Sequence, residues 1–196
     1  MATTSIALRV GVDEHICQGD VFSDVQYTYL DSEDNESADL VEYTFPMAII
    51  ISQACDVDAM SKMIKDSSGK GTKFMPSLLM CPIYDKEEAK NLSHLGTALK
   101  ELSISEGQND FLFSSRDYNV VQQDWHYRFH ALTVADKNGN VMLDNAVIDF
   151  KHYFTVPPTY LFNNRKNRLF HLESLFAEQI TLKFATFLSR VAIPDS

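Results

Sequence analysis

The sequence predicts a mainly β chain of the α+β class: a small rolled β-barrel with one inserted helix and a long C-terminal amphipathic helix. Three observations carry this. YTFPMAIIIS at 43–52 holds three consecutive isoleucines, whose stiff β-branched side chains suit a strand buried on both faces. Asn138-Gly139 lies between ALTVAD and VMLDNAVIDF, and Asn-Gly between apolar runs is the strongest short hairpin signal. Near the C-terminus, Leu172, Phe176, Ile180, Phe184 and Phe187 recur with the helical period. The 196 residues fit one domain, with the barrel over about 16–162 and the helix over about 168–191.

In chain order, Gly19-Asp20 punctuates the start and VFSDVQYTYL follows as a β-rich run. DSEDNESADLVE at 31–42 has six acids in twelve residues and reads as a solvated hairpin loop. The triple-isoleucine strand comes next, with Pro46 expected at its first residues or on an edge, because proline gives the ladder no N–H. Residues 57–73 lose pattern, and SKMIKDSSGKGTK reads as a basic loop with at most one helical turn. FMPSLLMCPIYD at 74–85 is a second apolar strand. Asp85-Lys86-Glu87-Glu88 resembles a capping box and opens a helix carrying Leu92, Leu95, Leu99 and Leu102. From 110 to 162 the chain reads as strands again, through FLFSS, VVQQ, WHYRFHALTVAD, VMLDNAVIDFKHYFTV and TYLF. The terminal helix has Leu175 and Leu188 beside its stripe and Glu173, Glu178, Lys183 and Arg190 on its other face.

The net charge of −10 argues against broad electrostatic binding of nucleic acid, which needs a basic face to displace counterions. Three widely spaced cysteines without a CxxC fit a reducing compartment. No signal peptide is read at the N-terminus, and no apolar run approaches the roughly 18 residues of a membrane span. The expectation is a soluble, cytoplasmic protein without a membrane partner.

Several constellations could carry chemistry. Ser52, Gln53, Cys55 and Asp56 lie where the central strand ends. Cys55 would act as a nucleophile only as thiolate, with a base such as His94, His126 or His152. The alternative is that Cys55 packs as a small hydrophobe and Asp56 caps the following turn. His126 and His130, four apart, would share one face of a strand. No CxxC or HExxH accompanies them, so neither a metal nor a cofactor is expected. SSGKGTK lacks the first glycine of a phosphate-binding loop. Arg165, Lys166 and Arg168 form a compact basic patch that could grip a phosphate backbone beside Tyr160 and Phe162, or could meet acidic side chains of the protein itself. The bulky phenylalanines of the terminal helix are core, with an excess that could pack on a partner protein or a second copy.

Gly19-Asp20-Val21-Phe22 and Pro46-Met47-Ala48-Ile49-Ile50-Ile51-Ser52 resemble segments of the PemK/MazF group of small toxin barrels. The pattern GDVF, ISQACD and SRVAIP is also similar to uncharacterised bacterial proteins. The PemK/MazF resemblance implies an SH3-like barrel, dimerisation and, in many members, cleavage of single-stranded RNA. Phe45 stands where the group usually has arginine, and the group's catalytic arginine and threonine have no counterpart here. Three readings follow. The first is an interaction or regulatory module of a bacterial antiphage defence or toxin–antitoxin system, working through the terminal helix. The second is a metal-independent endoribonuclease using Arg165, Lys166 and Arg168, with His126 or His130 moving protons. The third is a cysteine-dependent hydrolase centred on Cys55 with Asp56 and His126.

Overall fold

A computed structural model of the chain describes residues 4–11, 14–34, 37–66, 74–91, 115–123 and 125–190. Eight strands form one sheet: β1 (Ser5–Leu8), β2 (Asp20–Asp34), β3 (Ser37–Ile50), β4 (Leu78–Asp85), β5 (Phe129–Ala135), β6 (Val141–Asp149), β7 (Phe154–Val156) and β8 (Arg168–Leu172). Their order is β3-β2-β8-β1-β5-β6-β4-β7, and β3 also pairs with β4. The pairings therefore close on themselves through every strand except β7, which hangs on β4. Among the described pairings only β1–β5 is parallel. Helices among the described residues are α1 (Ala54–Asp66), α2 (Lys86–Asn91), α3 (Ser115–Gln122), α4 (Pro158–Asn163) and α5 (Ser174–Leu188). None is long and apolar enough to cross a membrane.

The triple isoleucine sets the layering. Ile49 and Ile51 join an apolar cluster with Leu132, Phe150 and, from α5, Ile180 and Phe184. Ile50 points the other way, into a cluster with Phe22, Phe45, Tyr84 and, from α1, Val57 and Met60. Side chains alternate across a strand, so one run of three feeds both cores. Each buried isoleucine contributes about 1.5–3 kcal/mol. The Asn-Gly turn joins β5 to β6 as read from sequence, with Gly139 at φ +82° and its N–H donating to the Asp136 carbonyl at 2.9 Å.

Prolines sit where the ladder can spare a donor. Pro82 lies on β4 opposite the break between the β6 and β7 pairings. Pro46 is deep in β3, facing Asp24 of β2, which adopts φ +51°. The Tyr160 hydroxyl fills this gap: the Gln26 N–H donates to it at 2.8 Å, and it lies 3.5 Å from the Asp24 carbonyl. Gly19, at φ +85°, is needed twice over, because a Cβ there would lie 2.6 Å from the Ala177 Cβ. The start of β2 thus touches α5 directly.

Several expectations need correction. Up to Asp66, the pattern-poor stretch after the central strand is the 13-residue helix α1 and not a loop; Val57 and Met60 bury one face of it, a period that the surrounding Lys and Asp residues mask. Val120, Val121 and Gln122 of VVQQ lie in α3, and TYLF lies within α4. Pro158 opens α4 with its φ already helical, and short apolar runs do not by themselves separate strand from helix. Residues 31–34 and 37–42 are strand and not free loop, since the β2–β3 ladder continues from Leu30↔Leu40 through Asp31↔Asp39 to Asp34↔Ser37. The segment 168–172 is strand, so the terminal helix begins at Ser174 and is about 22 Å long. The sheet reaches beyond 16–162 at both ends, through β1 and β8. Of the helix predicted after Asp85, only Lys86–Asn91 falls among the described residues; Leu92 to Leu102, FLFS and residues 67–73 of the predicted loop lie outside them.

Candidate functional site

Two buried ion pairs brace the sheet. Arg128 meets Asp149 in a bidentate contact, Nε to Oδ1 at 2.7 Å and Nη2 to Oδ2 at 2.6 Å. Asp149 is fully buried and also accepts the Lys151 N–H at 3.0 Å. In the second centre, Asp20 accepts Arg168 Nη1 at 3.0 Å and the Cys17 N–H at 2.9 Å, and its Oδ1 lies 3.0 Å from His171 Nδ1. Arg168 further donates to the carbonyls of Gly11 and His15 at 2.6 and 2.7 Å. A buried charge requires this density of partners. Arg168 is therefore a clamp holding Gly11 and residues 14–20 against β8, not part of an open phosphate grip. Arg165 donates to the Phe162 carbonyl at 3.1 Å, and Lys166 is exposed.

Burial pushes the Cys81 thiol well up, with Asp149 adding to it, and raises the Cys17 thiol, with Asp20 second. Cys55 is exposed in the first turn of α1, and its sulfur lies 3.7 Å from Asp56 Oδ1. Among the described residues no imidazole is within hydrogen-bonding distance of that sulfur. His152 Nδ1 bonds the Tyr84 hydroxyl at 2.7 Å, and burial, then Tyr43, raises the Tyr84 phenol so that it stays protonated. No group of three His, Cys, Asp or Glu among the described residues could hold a metal ion. His94 lies outside the described residues.

The histidines 126 and 130 meet elsewhere. A groove of about 750 Å³ runs between α5, the end of α3 and the approach to β5. Its floor is apolar, from Val121, Ala131, Phe176, Ile180 and Phe187, and its walls carry Gln122, Gln179 and Thr186. Lys183 and Arg190 bring positive charge to the lining, and His126 and His130 add two imidazoles. No described lining residue is acidic, in a chain of net charge −10. Large aromatics form the rim. Trp125 is 77% exposed, and Tyr127 stacks on His126 with centroids 5.0 Å apart and carries the Arg190 guanidinium 4.0 Å from its ring centre.

The local sequence explains this geometry. The N–H groups of Arg128 and Phe129 both lie 3.2 Å from His126 Nδ1. That nitrogen is an acceptor, so the neutral ring carries its proton on Nε2. The Arg128–Asp149 pair next to it fixes the chain entering β5, which points Trp125 and Tyr127 along the rim. From α5, Lys183 donates to the Phe129 carbonyl at 3.3 Å. Phe184 and Ile180 bury the core side of α5, while Leu182 stays 70% exposed beside the groove.

Of the residues singled out from sequence, the structure brings His126 and His130 together. His126 precedes the strand, not on it, and Cys55, Asp56, Arg165, Lys166 and Arg168 do not line the groove. Sequence reasoning passed over Trp125, Tyr127, Lys183 and Arg190 as site residues. The signal was present: Lys183 and Arg190 are seven apart, two turns at helical period, and Trp-His-Tyr is a dense aromatic triplet. Compared with protein-family models, curated proteins and solved structures, the chain matches none.

Proposed function

We propose that the chain is a protein-interaction module whose receptor surface is the groove beside α5, built on a PemK/MazF-like, SH3-like barrel from a bacterial defence or toxin–antitoxin setting. The closed circuit of strand pairings supports the barrel part of this reading. The groove carries the rest. Trp, Tyr and Arg dominate binding energy at protein interfaces, in apolar pockets ringed by polar groups. Here Trp125, Tyr127 and Arg190 surround a floor of Phe176, Ile180 and Phe187. The cations in its lining, Lys183 and Arg190, favour an acidic, apolar-bearing segment over a basic one.

Trp125 is the single tryptophan and stands at the rim, so its emission reports occupancy. Titration with acidic amphipathic peptides should shift the emission to the blue, and charge-matched basic peptides should not. No shift with any acidic peptide at millimolar concentration would end the reading. A second reading, metal-independent cleavage of single-stranded RNA, is favoured by one observation: two histidines, two cations and exposed aromatics share the groove, as base stacking and phosphate binding require. A labelled oligoribonucleotide that quenches Trp125 and is cut by the wild type, but not by His126→Ala, selects it.

A further inference from the structure

We infer that Asn138 is a site of spontaneous modification: it deamidates through a cyclic imide, chiefly to isoaspartate, at a rate gated by opening of the β5–β6 turn. Asparagine is among the thermolabile residues, and Asn138-Gly139 is the one Asn-Gly pair of the sequence. Glycine has no Cβ, so its nitrogen can come close to the preceding side chain. Both residues are exposed, and a Cβ built on Gly139 would meet nothing within 4 Å. Among the described residues the Asn138 carboxamide makes no hydrogen bond, so no partner restrains it. Asn140 differs: its Nδ2 donates to Asp136 Oδ2 at 2.8 Å, and the branched Val141 follows it. The step needs only water. The Gly139 nitrogen loses its proton to hydroxide and attacks the Asn138 Cγ. The new C–N bond closes the imide, the Cγ–Nδ2 bond breaks, and the nitrogen leaves as ammonia with a proton from water. Water then opens the ring at either carbonyl. One product is aspartate at 138, and the other is isoaspartate, whose main chain runs through Cγ. No electrons are exchanged with an oxidant or reductant.

The folded turn opposes the attack. The Gly139 N–H donates to the Asp136 carbonyl at 2.9 Å, and the Asp136 N–H donates to the Asn140 carbonyl at 2.9 Å. The Asp136 carboxylate accepts the Asn138 and Asn140 N–H groups, each at 2.9 Å. These bonds keep the Gly139 nitrogen protonated and fix the Asn138 backbone torsion that must rotate to bring it to Cγ. A neutral hydrogen bond that has to open first slows a reaction about fivefold, so the two main-chain bonds give about thirtyfold. Isoaspartate lengthens the main chain between 138 and 139, so those two bonds cannot both re-form. The turn also carries Lys137, whose Nζ lies 3.3 Å from Glu173 Oε1 at the start of α5, so a modified tip shifts this tie to the terminal helix.

The test is ageing of the full chain at pH 8 and 37 °C, followed by peptide mass mapping and by methyl labelling with an isoaspartate-specific methyltransferase. In guanidinium chloride, Asn138 should be modified before any other asparagine, with isoaspartate in excess over aspartate. The folded chain should be modified at the same residue about thirtyfold more slowly. Asp136→Ala strips the carboxylate that braces the turn, so it should speed the folded chain severalfold and leave the denatured rate unchanged. Asn138→Ser should abolish the label in that peptide with an unchanged circular dichroism spectrum. In the purified isoaspartyl form, hydrogen exchange at the Asp136 and Gly139 amides should rise. A denatured chain modified first elsewhere, or a folded chain as reactive at 138 as the denatured one, would overturn the inference. So would a folded chain still unmodified at 138 after a hundred denatured half-times, an Asp136→Ala chain no faster than the wild type, or unchanged exchange in the isoaspartyl form.

Discussion

Replacing Asp149 by Ala should cost the protein about 3–5 kcal/mol, the range for breaking a buried pair and leaving its partner charged. The magnitude can be built from the contacts. Arg128 loses hydrogen bonds of 2.7 and 2.6 Å to a carboxylate, and the Lys151 N–H loses its acceptor at 3.0 Å. Hydrogen bonds to charged groups contribute about 1.5–3 kcal/mol each and neutral ones about 1. The Arg128 guanidinium then stays 90% buried without its counter-ion. Removing both charges with volume kept, as in Arg128→Met with Asp149→Leu, should recover most of the loss, because the desolvation penalty disappears with the charge. The assay is urea unfolding followed by circular dichroism, run as a double-mutant cycle. Thermal midpoints should fall by roughly 6–20 °C in the single variant, at about 2–4 °C per kcal/mol for a chain of this size. A loss below about 1 kcal/mol for Asp149→Ala, or a double variant as unstable as the single, would refute the reasoning. Because this pair also holds the entry to β5, the single variant should weaken any groove ligand as well.

Thiol labelling at pH 8 should go in the order Cys55, Cys17, Cys81: Cys55 is exposed, burial and Asp20 hold the Cys17 thiol protonated, and Cys81 should react only on unfolding. Mass mapping of the labelled peptides reads the order, and early labelling of Cys81 would contradict its burial. Gly19→Ala should destabilise by about 2–4 kcal/mol, combining a left-handed φ with a methyl clash against Ala177; Gly19→Ala with Ala177→Gly should regain the steric part, visible in urea midpoints. Asp136 has its carboxyl held below the usual aspartate range by the Asn140 side chain, then by the Asn140 and Asn138 backbone. A depressed folded value means that its contribution is complete above the ordinary value of 3.8 and fades as pH falls through the lower folded value. Carbon-detected titration by NMR should place Asp136 below the ordinary aspartate value, and Asn140→Ala should move it back up.

How much of this was legible in the sequence can be followed residue by residue. Ile49–Ile51 announced a strand buried on both faces, and the two cores divide these residues as side-chain alternation requires. Asn138-Gly139 specified its turn because only a few residues accept that backbone. Ile180 and Phe184 bury the face that their spacing indicated. The errors fall on short segments. Leu169, Phe170 and Leu172 continue the period of α5 yet extend along β8, since the open edges of β1 and β2 offered ladder partners that local spacing does not encode. Tyr160 and Leu161 read as strand but sit on α4, behind a proline that presets the helix.

What the sequence determined by itself is therefore local: where the chain extends, where it turns and which helix face is apolar, because hydrophobic period and turn chemistry act over a few residues. Tertiary structure alone decided the charges. Arg168 became a buried clamp because Asp20, 148 residues earlier, lies 3.0 Å away, while Lys183 and Arg190 came to face His126 and Trp125 across a groove. Pairings over such separations depend on how the strands close, and no window of sequence contains both partners.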